Sequence, residues 1–191
     1  MAALLGGAGA AHADNLIRNG GFDARHPDRK GAVVYTNPPT AHDHLSGWKV
    51  VGDPGNVTVL GHDYMQDGIL LQPHKGRSSL NLAGTSHTVT GVQQIVATVP
   101  HKTYLLTFWV GNVVDPANGL GSTSTVVVTW SNTLMYQVTN SQGAGAGKVV
   151  WQKFTRSILA TGPRTTLDFI NFDPAHDGYC GLDRVSFEPV P

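Results

Sequence analysis

The sequence predicts an all-β protein built as an antiparallel β-sandwich or jelly roll. Short runs rich in Val, Thr and aromatic residues recur between Gly, Pro and Asn. The 23 glycines and 11 prolines suit many tight turns. No segment carries sustained helical periodicity or a coiled-coil heptad.

The first 13 residues, MAALLGGAGAAHA, are small, apolar and nearly uncharged, and read as a signal-peptide remnant or a disordered tail. Ala11-His12-Ala13 fits the small-x-small pattern before a signal-peptidase cut, which makes Asp14 the expected mature start and the protein an exported one. A bilayer span takes about 20 apolar residues, so no membrane span is expected. Residues 14–191 read as one sandwich domain.

The first expected strand is NLIRNGGF, from Asn15, followed by a long loop from Ala24 to Ser46. GWKVVG from Gly47 and NVTVLG from Asn56 come next. In SSLNLAG, Leu80 and Leu82 point one way, Ser79 and Asn81 the other. GVQQIVATV leads into the turn Pro100-His101-Lys102. TYLLTFWVGN carries the strongest strand signal. Its period of two puts Tyr104, Leu106 and Phe108 on a core face and Leu105, Thr107 and Trp109 on the opposite one. STVVVTW, LMYQVT, WQKFTRSILA, TTLDFINF and LDRVSFEP complete the set. NSQGAGAGK, from Asn140, reads as a flexible connection, because Gly-Ala repeats pack poorly.

Lys plus Arg and Asp plus Glu number 13 each, and only 14% of residues are charged. Nucleic acid is therefore not an expected partner, since phosphate binding needs a clustered basic surface. Cys180 stands alone: it is either buried as a small apolar group or available to link two copies into a homodimer.

Sugar binding needs flat apolar surfaces for ring C–H groups and planar polar groups for hydroxyls. Trp109, on the non-core face of its strand, either stacks on a ligand or packs under a loop. Trp130 and Tyr136 are expected to flank the same concave sheet. Asn112, Asn171 and Asp173 stand at strand ends, and His176 and Tyr179 sit in the polar loop FDPAHDGYCG. His42-Asp43-His44 and His62-Asp63 invite a metal, yet no third ligand is assigned, and loop histidines beside aspartates are expected to be solvated. There is no Gly-x-Ser-x-Gly elbow, His-Glu-x-x-His or phosphate loop, and glutamate occurs once, at Glu188. The chain is not expected to be an enzyme.

The ordered series NLIRNGGFD, GWKV, HKGRSSLNLAG, GVQQIVATVPHKTYLLTFWVGN, WQKFTRSILA, TTLDFINF and CGLDRVSF resembles one family. It is similar to the galactose-binding-like β-sandwich proteins of plant cell walls that carry a "domain of unknown function", and to bacterial choice-of-anchor C proteins. More distantly it is similar to carbohydrate-binding modules attached to glycosidases. The plant proteins carry two such domains and further cysteines, which this chain lacks. The resemblance implies a galactose-binding-domain-like fold, with Trp48 and Trp151 at core aromatic positions and the first and last strands side by side. It also implies a structural Ca²⁺ at that junction, held by Asp23 and Asp183, with backbone oxygens near Gly21, His74 and Arg77. A hard cation relieves the repulsion of two close carboxylates. The alternative is that Asp183 pairs with Arg184, Arg77 or a backbone amide without a metal.

These readings converge on a secreted, non-catalytic carbohydrate-binding module for cell-wall or extracellular polysaccharide or oligosaccharide. A structural or adhesive surface protein is the alternative, and a polysaccharide-active enzyme a more distant one.

Overall fold

The computed structural model describes residues 14–40, 44–52, 55–84, 89–131, 134–173 and 178–191. Its strands are β1 (Ala32–Asn37), β2 (Lys49–Val51), β3 (Gly55–Gly61), β4 (Met65–Gln66), β5 (Ile69–Leu70), β6 (Ser78–Asn81) and β7 (Gly91–Ala97). They continue with β8 (Thr103–Asn112), β9 (Ser124–Trp130), β10 (Leu134–Asn140), β11 (Val150–Leu159), β12 (Arg164–Asn171) and β13 (Gly181–Pro189). The helical piece among the described residues is a single 3₁₀ turn, Pro116–Asn118.

Two antiparallel sheets form a sandwich. The six-stranded sheet runs β1-β3-β6-β13-β8-β11, and the five-stranded sheet runs β10-β9-β12-β7-β2. Strands β4 and β5 form a small separate hairpin. Alternation along each strand supplies the core between the sheets. Tyr104, Leu106, Phe108 and Val110 of β8 face Val126 and Val128 of β9 and Leu167 and Phe169 of β12 in one apolar cluster. Phe108 is fully buried, with Phe154 at 5.9 Å and Phe169 at 5.3 Å between ring centroids. Truncating such a ring to Ala costs about 3–5 kcal/mol. Trp48 joins this core, its indole N–H donating to the Asn19 carbonyl.

A second apolar cluster of Leu60, Leu71, Val113, Leu120, Val149 and Tyr179 lies outside this core, with Trp151 packed against it. It accounts for one departure from the expected alternation: Ser79 and Asn81 of β6 are buried along with Leu80 and Leu82. A central strand covered on both faces buries both sets of side chains.

The stretch from Asn15 is not a ladder strand. It lies antiparallel beside β13 with sparse bonds: Leu16 N–H donates to the Phe187 carbonyl, Val185 N–H to the Gly20 carbonyl, and Phe187 N–H to Asn15 Oδ1. The two ends of the family-matched stretch are therefore adjacent, as expected, without regular pairing. Gly20 is required by this contact, since a Cβ there would stand 2.0 Å from the Val185 oxygen. The expected loop from Ala24 to Ser46 contains β1, an edge strand paired with β3 along its whole length. Residues 1–13, the proposed signal remnant, lie outside the described residues.

Candidate functional site

The site develops on the outer face of the six-stranded sheet. Trp109 of β8 is opposite Lys153 of β11 and Asp183 of β13, so the three share that face. The loop at residues 71–77 folds over this row. His74 stacks on the Trp109 indole, with centroids 3.7 Å apart and planes 19° apart. Trp151 anchors the loop's start, its indole N–H donating to the Gln72 carbonyl at 3.0 Å. Burial, then the nearby Arg184 and Lys75 charges, lower the His74 pKa. A neutral ring is the form that stacks flat on an indole without losing hydration of a cation.

Two carboxylates clasp the far end of the loop. Asp183, fully buried, accepts from the backbone N–H of Lys75 at 3.2 Å and of Arg184 at 2.7 Å. Asp23 Oδ1 accepts from Arg77 N–H at 2.7 Å, Ser78 N–H at 3.1 Å and the Ser78 hydroxyl at 3.3 Å. Burial, helped by the Asp23 charge and opposed by the backbone hydrogen bonds from Lys75 and Arg184, pushes the Asp183 pKa up to about 7.

The geometry suits a hard cation. The donors are oxygens, and Asp23 Oδ2 faces Gly76 and Gly21, where added Cβ atoms would stand 2.5 Å and 3.4 Å from it. Gly76 has φ +93, a conformation glycine adopts without strain. Asp23 and Asp183 are the side chains that would hold the ion. Among the described residues, no group of three or more His, Cys, Asp or Glu is gathered for a metal, so the remaining ligands would be backbone carbonyls. The Gly20 carbonyl is taken by Val185. His74 and Arg77 direct their side chains elsewhere, His74 onto Trp109 and Arg77 onto His26.

Beside Trp109 runs an open groove of about 430 Å³, lined by Asn15, Thr107, Lys153, Arg184, Ser186 and Glu188 among others. One indole face is covered by His74, and the rest of the ring lines the groove. Trp109 packs under a loop, the second of its two expected readings, and it also borders a cavity.

The other expected ligand residues lie elsewhere. Trp130 and Tyr136 belong to the five-stranded sheet, so they do not flank the Trp109 face. Trp130 is buried in the core, and the Tyr136 ring lies under the Arg156 guanidinium at 5.3 Å. Asn112 is fully buried, donating to the Ser124 hydroxyl and accepting from Gly143 N–H. That bond also fixes the connection after Asn140 expected to be flexible. Asn171 is 4% exposed and accepts from Asp173 N–H. Asp173 accepts from Thr125 N–H at 2.7 Å. Tyr179 is 1% exposed in the second apolar cluster, which raises its hydroxyl pKa. Asn112, Asn171 and Tyr179 are thus buried in the sandwich instead of rimming a ligand site, the two amides hydrogen-bonded within the protein. His176 lies outside the described residues, as do His42 and Asp43. His62 is committed to Asp63 at 2.7 Å. Cys180 is fully buried, its thiol donating to the Thr125 carbonyl at 3.7 Å, so a homodimer linked through it is ruled out in this fold.

The architecture is that of a two-sheet antiparallel β-sandwich with a loop-covered groove on the six-stranded side. The chain belongs to the family described as "Protein of unknown function (DUF642)", matched over residues 15–188. Its fold is similar to that of TmCBM61, solved in complex with β-1,4-galactotriose, at 14% identity and TM-score 0.50, covering 93% of this chain and 100% of that one. It is also similar to arabinose-bound MgGH51 α-L-arabinofuranosidase, at 14% identity and TM-score 0.57, covering 96% of this chain and 27% of that one. No curated protein matches the chain. Likeness at this identity shows the fold.

Proposed function

We propose that this chain is a secreted, non-catalytic carbohydrate-binding module that takes extracellular polysaccharide in the groove beside Trp109. The carrying observation is that groove: an indole set among Asn15, Lys153, Arg184 and Glu188. An indole supplies the apolar surface, and the amide, ammonium, guanidinium and carboxylate supply donors and acceptors to hydroxyls. A similar fold solved with β-1,4-galactotriose makes β-1,4-galactan the first probe. The export reading rests on Ala11-His12-Ala13. Non-catalysis is supported by the use of Asp23 and Asp183, whose oxygens grip backbone amides of the loop and Ser78.

A structural Ca²⁺ at Asp23 and Asp183 belongs to this proposal. It would compensate a buried carboxylate and fix the loop that bears His74. Calcium is expected to raise the melting temperature and a chelator to lower it.

The deciding experiment is a glycan array and Trp fluorescence titration of the full chain against Trp109→Ala and Lys153→Ala. Binding of a neutral glycan, lost in Trp109→Ala and weakened in Lys153→Ala, is the expected outcome. No response to any glycan would favour the surface-contact reading, for which the exposed Met135 and Ile95 on the other sheet speak.

A further inference from the structure

Gly76 and Arg77, just past His74, line a second cavity of about 450 Å³ with His26, Pro27, Arg29 and His62. None of these six lining residues is acidic, and two are arginines.

The hydrogen bonds hold both guanidiniums in place without using them up. His26 Nδ1 stands 2.9 Å from the Pro27 carbonyl, which only accepts, so Nδ1 carries the proton. Nε2 then accepts from Arg77 Nη1 at 3.1 Å. Arg29 donates through Nε to Asp63 Oδ2 at 2.6 Å, leaving its terminal nitrogens free of that contact. The other Asp63 oxygen is engaged by His62 Nδ1. The bonds from Arg29 and His62 hold the Asp63 carboxyl at about 2, so it stays ionised and matched to Arg29. The Arg77 side chain meets His26, and it is the Arg77 backbone N–H that meets Asp23. The two guanidiniums therefore set forked donors at the cavity wall, with Asp63 matching Arg29 and the Asp23 carboxylate beside Gly76.

We propose that this cavity binds the carboxylate of a uronate-bearing oligosaccharide. A guanidinium fork matches a planar carboxylate in two parallel hydrogen bonds. Gly76 leaves the wall without a side chain, so a sugar ring can approach the guanidiniums there. The inference deepens the carbohydrate reading and rests on it for the ligand class, but it uses a separate cavity from the Trp109 groove. The chain then has one groove for neutral sugar and one pocket that selects acidic polysaccharide, both bordered by the same loop.

The test is calorimetric titration of the full chain with trigalacturonate, with its neutral methyl ester, and with inorganic phosphate. The free acid should bind about tenfold or more tighter than the ester, as expected for a charged hydrogen-bonded pair, and the advantage should shrink as salt rises. The double variant Arg29→Ala, Arg77→Ala should lose that advantage while keeping the melting temperature and the binding of neutral galactotriose, because both side chains stand at the surface. Trp109→Ala should do the reverse. Equal binding of acid and ester, or an advantage that survives in the arginine variant, overturns the pocket and leaves the groove standing. No binding of neutral galactotriose by the unaltered chain, with the acid still bound, overturns the groove and leaves the pocket. Phosphate binding as tightly as trigalacturonate would make this a simple anion pocket and overturn the uronate assignment.

Discussion

The outer face of the six-stranded sheet lies under a loop, and that of the five-stranded sheet lies open. On the first, residues 71–77 cover Trp109 and Asp183 and leave cavities on either side of the covered row. On the second, Asp168 sits in the central strand β12, its two oxygens accepting from Gln93 of β7 at 2.6 Å and Thr129 of β9 at 2.7 Å. Met135 and Ile95 flank that row, 75% and 55% exposed. Both faces bury a carboxylate, but to different ends. Asp168 ties neighbouring strands together through side chains. Asp183 holds backbone that comes from elsewhere in the chain. The first arrangement makes a stiff wall; the second makes a scaffold on which cavities are built.

The largest effect should come from Asp183. Its folded pKa, about 7, stands above the ordinary aspartate value, so in the metal-free protein the folded state binds its proton more tightly than the unfolded state. Stability contributed by this group is present below about pH 4 and is lost as pH rises through 7, by up to about 4 kcal/mol. Denaturant melts across that range should show the slope in the presence of chelator, and Asp183→Asn should flatten it. A metal-free protein with no such slope would mean that the loop does not seal the carboxylate.

Next in size is Gly76→Ala. The new Cβ meets the Asp23 carboxylate at 2.5 Å in a left-handed backbone conformation, and should cost about 3 kcal/mol. Gly68→Ala, at φ +84 with open space around it, should cost only about 1 kcal/mol. Similar losses at both glycines in thermal melts would remove the loop's special standing. On the open face, Asp168→Ala should cost about 2 kcal/mol by stranding the Gln93 and Thr129 donors, with glycan affinity unchanged. The sharpest change for function is expected from Trp109→Ala. Affinity for a neutral glycan should fall at least about tenfold, roughly 1.4 kcal/mol, while Met135→Ala and Ile95→Ala leave it intact. The reverse pattern in titrations would move the ligand to the open face.

The sheets were legible in the sequence because period-two alternation is a local signal. The split of Tyr104, Leu106 and Phe108 from Leu105, Thr107 and Trp109 appears in the structure as written. Two element boundaries were not legible. The Leu16-Ile17 pair looks like a strand but makes only scattered bonds to β13, and β1 hides in a stretch whose prolines and charges resemble a loop. Of the site, Trp109 and the Asp23–Asp183 neighbourhood were within reach, the first through alternation and the second through the order of family segments. Asn112, Asn171 and Tyr179 misled because polarity at a strand end was read as exposure, whereas all three are buried: Asn112 against Gly143, Asn171 against its neighbour Asp173, and Tyr179 in an apolar cluster. The arginine pocket left no trace in the sequence. Arg29 meets Asp63 and Arg77 meets His26 across 34 and 51 positions, and no spacing rule reaches that far.

Residues 15–20 and 185–187 run past each other in opposite directions, joined at only a few points. Tension applied at Asn15 and Glu188 would therefore open that seam like a zipper, one contact at a time, and not load all contacts together as a sheared pair of strands would. The force would pass from the Asn15–Phe187 contact to the Gly20–Val185 contact and then to the neighbouring Asp23–Asp183 clasp, so that the loop bearing His74 would loosen under load.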